Sequence, residues 1–229
     1  MQTEPKTLLI FEAHSDDAVI GMAGTILKYK KELGYQIALV TFTKGETAYS
    51  TPEMKEKIAD IRKAESQCAD SILGIDFHEF WEQPCQGVEN TKSLHQDCIA
   101  AIRKYRPEII FTHYFEDKHR DHRAISALVT EAWWKASEGV LADRGTPFRA
   151  EKLYYFEVTE PFTHPDVILD ITQFWNEKEK ALKCFASQEA VMGKFLKAIE
   201  GLSFYRGFQA GFEKGEAFLK SDFFPSHTL

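Results

Sequence analysis

A buried apolar run near the start of this chain ends in one histidine and two adjacent aspartates. The segment Leu8–Phe11 is wholly apolar, which suits a strand covered on both faces. His14, Asp16 and Asp17 follow it directly. In open α/β sheets the active crevice lies at the carboxyl ends of such strands. Side chains of these types at this place indicate metal ligands and a base rather than part of the core.

A second group of the same character follows another apolar strand. His119, Asp121 and His122 come shortly after the run Ile109–Phe111 and open a helix. Strand-to-helix junctions of a parallel sheet lie along one edge, so the two groups can converge in space. Each group alone has a simpler interpretation, since an aspartate pair or an HxDH segment at a helix start often only caps the helix. Their joint occurrence favours a metal site.

The donor types in these groups suit one divalent metal ion. His14 and Asp17 lie three residues apart in a tight loop and can face one cation, and His122 can complete the set. Two histidines and one carboxylate leave a coordination position open on zinc, which is the arrangement of a catalytic site. If Asp17 is a ligand, Asp16 points elsewhere and is placed to take a proton from metal-bound water.

The other two members of the second group can support this centre. His119 lies one helical turn from His122, so both side chains can face the same cavity. Asp121 can accept a hydrogen bond from an imidazole and set its charge and tautomer. We therefore count His119 and Asp121 among the candidate catalytic residues.

These side chains depend on alternating strands and helices along the first two-thirds of the chain. Apolar runs predict strands at 7–13, 37–42, 76–80 and 108–113. Periodic apolar residues and stop signals predict helices at 19–33, 52–73, 92–105 and 120–138. Repeated β-α-β alternation predicts a single-domain α/β fold, Rossmann-like, with a mostly parallel sheet and helices on both faces.

The alternation changes after Gly139. Strands are predicted at 153–158 and 167–171, followed by a charged amphipathic helix at 172–186 and a last helix within 210–219. We expect this part to be a C-terminal extension packed on the sheet. Residues 1–229 would then form one domain with a core of about 7–219.

Length, charge and cysteine usage limit the possible functions. The 229 residues suit one large α/β domain, and the net charge of −7 argues against binding to nucleic acid or anionic membrane. No apolar run approaches the roughly 20 residues that span a bilayer, and the N-terminus lacks the basic and apolar regions of a signal peptide. The four cysteines contain no CxxC pair, so a thiolate zinc site is not expected. Free thiols in a reducing cytoplasm are the expectation.

The motifs resemble those of the LmbE-like, or PIG-L, family of zinc-dependent N-acetylglucosaminyl deacetylases. The family pattern (P/A)-H-P-D-D followed by G-x-G-G-T is similar to residues 13–17 and 21–25, and HPDHR is similar to residues 119–123. Further similarities run in order at 43–46, 62–65, 170–172, 187–188, 206–207 and 215–218, so that the resemblance covers roughly residues 7–219. Ser15 and Arg120 stand where the pattern has proline, and Asp117 stands where some members place a tyrosine proposed to stabilise the oxyanion.

The resemblance implies a hydrolase that removes the N-acetyl group from an N-acetylglucosamine-type amino sugar or conjugate and releases acetate. It implies Zn²⁺, with another divalent transition metal as the alternative, held by the predicted ligand set. Asp16 would be the general base for the water. His119, as an imidazolium held by Asp121, would stabilise the oxyanion or protonate the leaving amine.

The resemblance also extends to substrate binding and assembly. Glu46 and Arg62 match family positions near the sugar, although Arg62 could equally be a helix-surface salt-bridge partner. Arg206 could approach an anionic substituent of the substrate. The implied partner is a small-molecule N-acetyl amino sugar, and a homo-oligomer, either trimer or hexamer, is expected.

Two other functions stay open at this point. A different metallohydrolase, an amidase or a phosphoesterase, could use the same groups. Two-metal phosphoryl chemistry would need a further acid-rich cluster, which the sequence does not offer. A non-catalytic sugar- or metal-binding protein on the same fold is the other alternative, although the presence of Asp16 argues for catalysis.

Overall fold

The apolar runs of the sequence form the centre of a seven-stranded sheet in the computed structural model, which describes residues 5–225. The strands are β1 (Thr7–Glu12), β2 (Gln36–Thr43), β3 (Phe77–Gln83), β4 (Ile109–His113), β5 (Lys152–Phe156), β6 (Val167–Asp170) and β7 (Gly215–Lys220). They lie in the order β3-β2-β1-β4-β5-β7-β6. Strands β1 to β5 are parallel, whereas β7 runs antiparallel to β5 and β6.

Helices cover both faces of this sheet. They are α1 (Asp17–Lys31), α2 (Ile58–Leu73), α3 (Lys92–Tyr105), α4 (Arg120–Ala136), α5 (Trp175–Lys183), α6 (Ala186–Met192) and α7 (Phe195–Ala210). Helices α3 and α4 pack on one face, and α1, α2 and α5 pack on the other. The predicted α/β fold, a mostly parallel sheet covered on both faces, is confirmed.

Strand β1 is buried on both sides, which explains its unbroken apolar run. Leu8 and Ile10 belong to the core beneath α1, α2 and α5. Leu9 and Phe11 belong to the core beneath α3 and α4. Because successive side chains of a strand point to opposite faces, this one segment fills both cores. Full burial of each such side chain stabilises the fold by roughly 1.5–3 kcal/mol.

The pairing of β1 with β4 sets the position of the site. The two strands are parallel neighbours, with Leu8 opposite Ile109. Their carboxyl ends therefore lie side by side. The chain enters α1 at Asp17 and α4 at Arg120, so the two sequence groups meet at one edge of the sheet.

The C-terminal part differs from the prediction. The last helix predicted within 210–219 is wrong, because this segment ends α7 and then forms most of β7. Gly211, with φ of 81°, follows the last residue of α7, and Gly215 inside a helix would cost about 1 kcal/mol. Helix α7 carries apolar residues around its whole circumference, so it has no periodic signal in the sequence. Part of the C-terminal extension thus completes the sheet instead of packing on it.

Two predicted helices are also shorter than expected. The segment predicted at 52–73 is a 3₁₀ turn at Pro52–Met54, followed by α2. The segment predicted at 172–186 is a 3₁₀ turn at Thr172–Phe174, followed by α5 and the start of α6. In the first case Pro52 opens the turn at a position where its missing N–H has no cost.

One disulfide corrects the expectation of free thiols. Cys68 of α2 is bonded to Cys184 directly after α5, while Cys85 and Cys98 are free. A pair 116 residues apart leaves no spacing signal in the sequence. Disulfides are rare in a reducing cytoplasm, so the compartment stays a prediction. Of the helices within residues 5–225, none has both the length and the apolar content needed to cross a bilayer.

The close approach of α1 to the end of β6 yields a stability prediction. A Cβ added at Gly24 would lie 2.6 Å from the Cβ of Ile171, so Gly24→Ala should lower the free energy of unfolding by about 1–3 kcal/mol. Urea denaturation measures this change. Gly201→Ala in α7 is the matched control, because an added Cβ there meets nothing within 4 Å and should stabilise by up to about 1 kcal/mol. Equal stability of Gly24→Ala and the parent protein would contradict the tight packing.

Candidate metal centre

Three ligand atoms from the two sequence groups form a nearly equilateral triangle. His14 Nδ1 lies 3.1 Å from Asp17 Oδ2 and 3.3 Å from His122 Nε2, which is itself 3.3 Å from Asp17 Oδ2. The centre of such a triangle, its side divided by √3, is roughly 1.9 Å from each atom, close to the 2.0–2.2 Å bonds of zinc to nitrogen and oxygen. The donor types and their spacing therefore fit one divalent metal ion.

The turn between β1 and α1 holds two of these ligands rigidly. The backbone N–H of Asp17 donates to the carbonyl of His14 at 3.0 Å, and the backbone N–H of His14 donates to Asp17 Oδ2 at 2.7 Å. Behind the turn, the buried Glu12 side chain accepts from the backbone N–H of Ala18 at 2.9 Å. These bonds fix the direction of both ligand side chains before any metal arrives.

Two carboxylates lie behind the histidine ligands. Asp121 Oδ2 is 3.4 Å from His14 Nε2, and Asp117 Oδ1 is 3.2 Å from His122 Nδ1. A carboxylate facing the second ring nitrogen of a ligating histidine sets its tautomer and raises its basicity. The Asp121 carboxylate therefore faces the ring of His14. We predicted that it would hold the ring of His119. The Asp117 carboxylate faces the ring of His122 in the same way. The resemblance placed Asp117 at the position of an oxyanion-stabilising tyrosine.

His119 is positioned as a neutral donor. It is the N-cap of α4, where its Nδ1 accepts from the backbone N–H of Asp121 at 3.2 Å. Its ring centroid lies 4.7 Å from the rings of His14 and His122. Burial lowers the pKa of His119, and the two neighbouring imidazoles lower it further. Because Nδ1 is the acceptor in this cap bond, the neutral ring carries its proton on Nε2, and the lowered pKa disfavours the imidazolium that we predicted.

His113 and Asp117 are further residues of the site, outside the set predicted as catalytic or metal-binding. His113 ends β4, and its Nε2 accepts from the backbone N–H of Ala13 at 2.8 Å. Its ring stacks on His122 with centroids 3.9 Å apart, and its Nε2 is 3.3 Å from Asp17 Oδ2. Burial lowers the pKa of His113 to about 4, so this ring is a neutral wall. The sequence feature that indicates a site residue here is the position of His113 at the carboxyl end of the strand next to β1.

Asp16 is paired with an arginine and does not cap α1. Its Oδ1 accepts from Arg62 Nη2 at 2.6 Å, and both side chains are buried. Asp16 occupies the N-cap position without forming a side-chain cap bond. Gly45, with φ of 66°, lies so close to the guanidinium that a Cβ there would be 2.5 Å from Arg62 Nε. Arg62 is therefore not a surface residue; its Nη2 orients Asp16, while its buried Nε has no hydrogen-bond partner among the described residues.

The remaining two predicted residues, Glu46 and Arg206, contact protein groups outside the triangle. Glu46 Oε1 accepts from the backbone N–H of Cys85 at 2.8 Å and so ties down the loop after β3. Arg206 is buried and donates to both carboxylate oxygens of Glu157, at 2.9 and 2.7 Å, and to the carbonyl of Phe162. The structure does not bring Arg206 to the metal ligands, since its guanidinium is occupied by protein partners.

Candidate metal ligands elsewhere do not form a separate cluster. Within residues 5–225, the groups that could hold an ion are His14/His119/His122, His14/Cys85/Asp121 and Asp17/His113/His122. Each of them contains His14 or His122. A second, acid-rich metal site of the kind that two-metal phosphoesterases use is therefore not found in this part of the chain.

The triangle carries protons when no metal is present. Burial opposes a charge on Asp17, but the neighbouring imidazoles of His122 and His14 hold its pKa well below the ordinary value. Burial likewise opposes a charge on His122, but Asp17 and Asp117 raise its pKa to about 9. Against the same effect of burial, Asp17 and Asp121 raise the pKa of His14 well above its usual value. A metal must displace these protons.

Metal affinity should therefore rise with pH. Because the pKa of His122 is about 9, each displaced proton adds up to about tenfold in zinc affinity per pH unit below that value, and the rise should level off above it. Titration of metal-free protein against a chromophoric chelator at several pH values measures this. Asp117→Asn removes a charge that raises the pKa of His122, so its plateau should begin at lower pH. A pH-independent affinity would contradict the protonated triangle.

Comparison with known proteins agrees with this geometry. The PIG-L family model, described as GlcNAc-PI de-N-acetylase, matches residues 9–133. The chain is 29% identical to 4-oxalmesaconate hydratase of Pseudomonas putida, over 92% of this chain and 83% of that protein. It is 24% identical to 1D-myo-inositol 2-acetamido-2-deoxy-alpha-D-glucopyranoside deacetylase of Thermobifida fusca, over 86% and 88%. The crystal structure of the conserved protein TT1542 from Thermus thermophilus superposes with a TM-score of 0.84 at 30% identity, covering 97% of this chain and 96% of that one.

Proposed function

This chain belongs to the PIG-L family, and on that premise we propose that it is a metal-dependent de-N-acetylase of an N-acetylglucosamine-type amino sugar or conjugate, releasing acetate. The observation that carries the proposal is the ligand triangle of His14, Asp17 and His122, with a buried carboxylate beside it. That carboxylate, Asp16, is held by Arg62. Deacetylases of such sugars among its relatives support the substrate class.

The metal we propose is zinc, since two imidazoles and one carboxylate with an open position are typical of catalytic zinc. When bound, it supplies an acidified water and polarises the acetamide carbonyl. Asp16 accepts the proton of that water, and its bond to Arg62 keeps its carboxylate in one orientation. The Nε2–H of His119 donates a hydrogen bond to the developing oxyanion and keeps its proton. Asp16 then returns the proton to the amine as the amide C–N bond breaks, which yields acetate and the free amino sugar.

Glu46 stays a proposed substrate contact. Its Oε1 is engaged with the loop after β3, whereas its buried Oε2 has no hydrogen-bond partner among the described residues. A buried carboxylate oxygen without a donor is costly, and a sugar hydroxyl would satisfy it. Arg62 acts on the substrate only through Asp16 in this proposal, and Arg206 has no part in binding.

We also propose that the chain assembles as a homo-oligomer, either a trimer or a hexamer. Aromatic side chains of α7 support this, because Phe208 is 82% exposed and Phe204 and Tyr205 beside it are also exposed. Contiguous exposed apolar surface of this kind is typical of protein contacts. Light scattering on the purified protein measures the mass directly.

A second candidate function is hydration of an unsaturated acid. It is favoured by the similarity to 4-oxalmesaconate hydratase, which extends over 92% of this chain. Addition of water to a carbon–carbon double bond would use the same base and the same activated water. The same catalytic groups therefore suit an acetamide or a carbon–carbon double bond as the group that water attacks. The two functions differ only in the substrate.

The two functions are separated by assaying one preparation on both substrates. We expect zinc-loaded protein to release acetate from N-acetylglucosamine derivatives, including N,N'-diacetylchitobiose, and chelated protein to release none. The parallel assay follows the loss of ultraviolet absorbance of 4-oxalmesaconate. Metal-dependent hydration without acetate release from any derivative would overturn the deacetylase proposal.

The role of Asp16 yields a separate prediction. Asp16→Asn keeps the size of the side chain and removes the proton acceptor, so kcat should fall by about 100- to 10,000-fold while the zinc content is retained. Turnover by amine release and metal content by atomic absorption measure the two quantities. Asp143→Asn, which changes a highly exposed aspartate, is the matched control and should keep normal turnover. Near-normal kcat in Asp16→Asn would show that another group is the base.

A further inference from the structure

A cavity of about 260 Å³ borders the loop that carries two metal ligands. It lies at the carboxyl ends of β2 and β3, against the first turns of α2. The polar and aromatic residues that line it are Ser15, Thr43, Lys44, Asp60, Lys63, Phe80 and Glu82. Ser15 connects this cavity to the catalytic centre, because it stands between His14 and Asp16 in the chain.

The hydroxyl of Ser15 is unused by the protein. Ser15 is only 7% exposed, and its Oγ has no hydrogen-bond partner among the described residues. An unsatisfied buried hydroxyl is costly, so a ligand that accepts its hydrogen bond binds more tightly. The related sequence pattern has proline at this position, which cannot offer a hydroxyl. This donor therefore distinguishes the present chain from that pattern.

Two lysines converge on one carboxylate at the same cavity. Lys44 Nζ is 4.0 Å and Lys63 Nζ is 3.9 Å from oxygens of Glu82. All three side chains are about half exposed, and ion pairs this long and solvated contribute little to stability. The Glu82 carboxylate thus marks a position bracketed by two ammonium groups, from which a stronger anion can displace it.

The other groups of the cavity do not favour a different ligand. Asp60 is exposed to solvent, so its charge is well hydrated. The Phe80 ring cannot serve as a platform for a sugar, because His78 stacks on it at 4.0 Å and Lys63 Nζ lies 5.0 Å from its centroid. The groups of the cavity that remain available to a ligand are the two lysines and Ser15, and these groups recognise an anion.

We propose that Ser15, Lys44 and Lys63 form a subsite for an anionic substituent, a carboxylate or a phosphate, on the substrate of the catalytic centre. The inference rests on the proposed function and narrows its substrate to an acidic amino sugar. Because Ser15 directly precedes Asp16, a substrate anchored there is held at a fixed distance from the base. Binding of the substituent should therefore raise kcat/KM as well as affinity.

The test compares neutral and acidic substrates of one sugar. Zinc-loaded protein is assayed on N-acetylglucosamine, its 6-phosphate and N-acetylmuramic acid, and the ratio of acidic to neutral kcat/KM is taken. We expect a ratio of about ten or more, since a charge-assisted hydrogen bond contributes about 1.5–3 kcal/mol. The ratio should fall about tenfold in Lys44→Met and Lys63→Met and a few-fold in Ser15→Ala. Whether the phosphate or the carboxylate gives the higher ratio identifies the substituent.

Lys31→Met is the matched control, because Lys31 pairs with Glu177 and does not line the cavity. Its ratio should equal that of the parent protein. A ratio near one in the parent protein, or a loss in Lys31→Met as large as in Lys63→Met, overturns the subsite while leaving the deacetylase proposal intact.

Direct binding separates failure of the subsite from failure of the proposed function. Calorimetry with glucosamine, glucosamine 6-phosphate and muramic acid needs no turnover, so it applies even if no acetate is released. Tighter binding of an acidic sugar that is lost in Lys63→Met supports the subsite. Equal affinity for all three sugars, or a preference that survives in both lysine variants, overturns it.

Discussion

One carboxylate oxygen organises the catalytic edge of this protein. Asp17 Oδ2 lies within 3.3 Å of ring nitrogens from His14, His113 and His122, and it also accepts a backbone N–H. A buried carboxylate is strongly unfavourable unless such partners surround it. Two of the partners come from β4 and α4, and they reach Asp17 only because β4 pairs with β1 in parallel register. The sheet order, the ligand triangle and the stacked rings of His113 and His122 thus all place polar partners around Asp17 Oδ2.

The local sequence pattern predicts the strands and helices that carry the site. It does not predict which of two neighbouring side chains a polar residue contacts. The apolar runs of β1 and β4 indicate buried neighbouring strands, and the metal ligands at their ends follow from that. Asp121 could reach either His14 or His119, and the choice depends on His119 being used as the cap of α4. Strand β7 was missed because its buried Glu216 is stabilised by a lysine and two backbone amides that are distant in sequence. Such partners are visible only in three dimensions.

The same centre is compatible with more than one water-adding reaction. In the proposed function, Asp16 and a metal at the triangle activate water, whereas the loops around the centre determine what the water attacks. The loop after β2 is joined to the loop after β3 by the bond from the Cys85 N–H to Glu46, and the loop after β3 is tied to the centre by the bond from the Gln86 N–H to Asp121. Fold and ligand set therefore specify the chemistry of the nucleophile in this proposal, and the loop residues around the centre specify the acceptor.

The disulfide divides the chain into a closed ring and two free ends. Residues 68 to 184 form the ring, which contains His113, Asp117 and His122, whereas His14 and Asp17 lie on the N-terminal end outside it. A single cut in the backbone within the ring, for example in the exposed segment 89–91 between β3 and α3, would place His14 and Asp17 on one piece and His122 on the other, yet leave both pieces covalently attached. The metal triangle is then a second, non-covalent closure that joins the ring to the N-terminal end. Protein cut there therefore keeps the ligands of both sequence groups in one covalent molecule as long as the Cys68–Cys184 disulfide is intact.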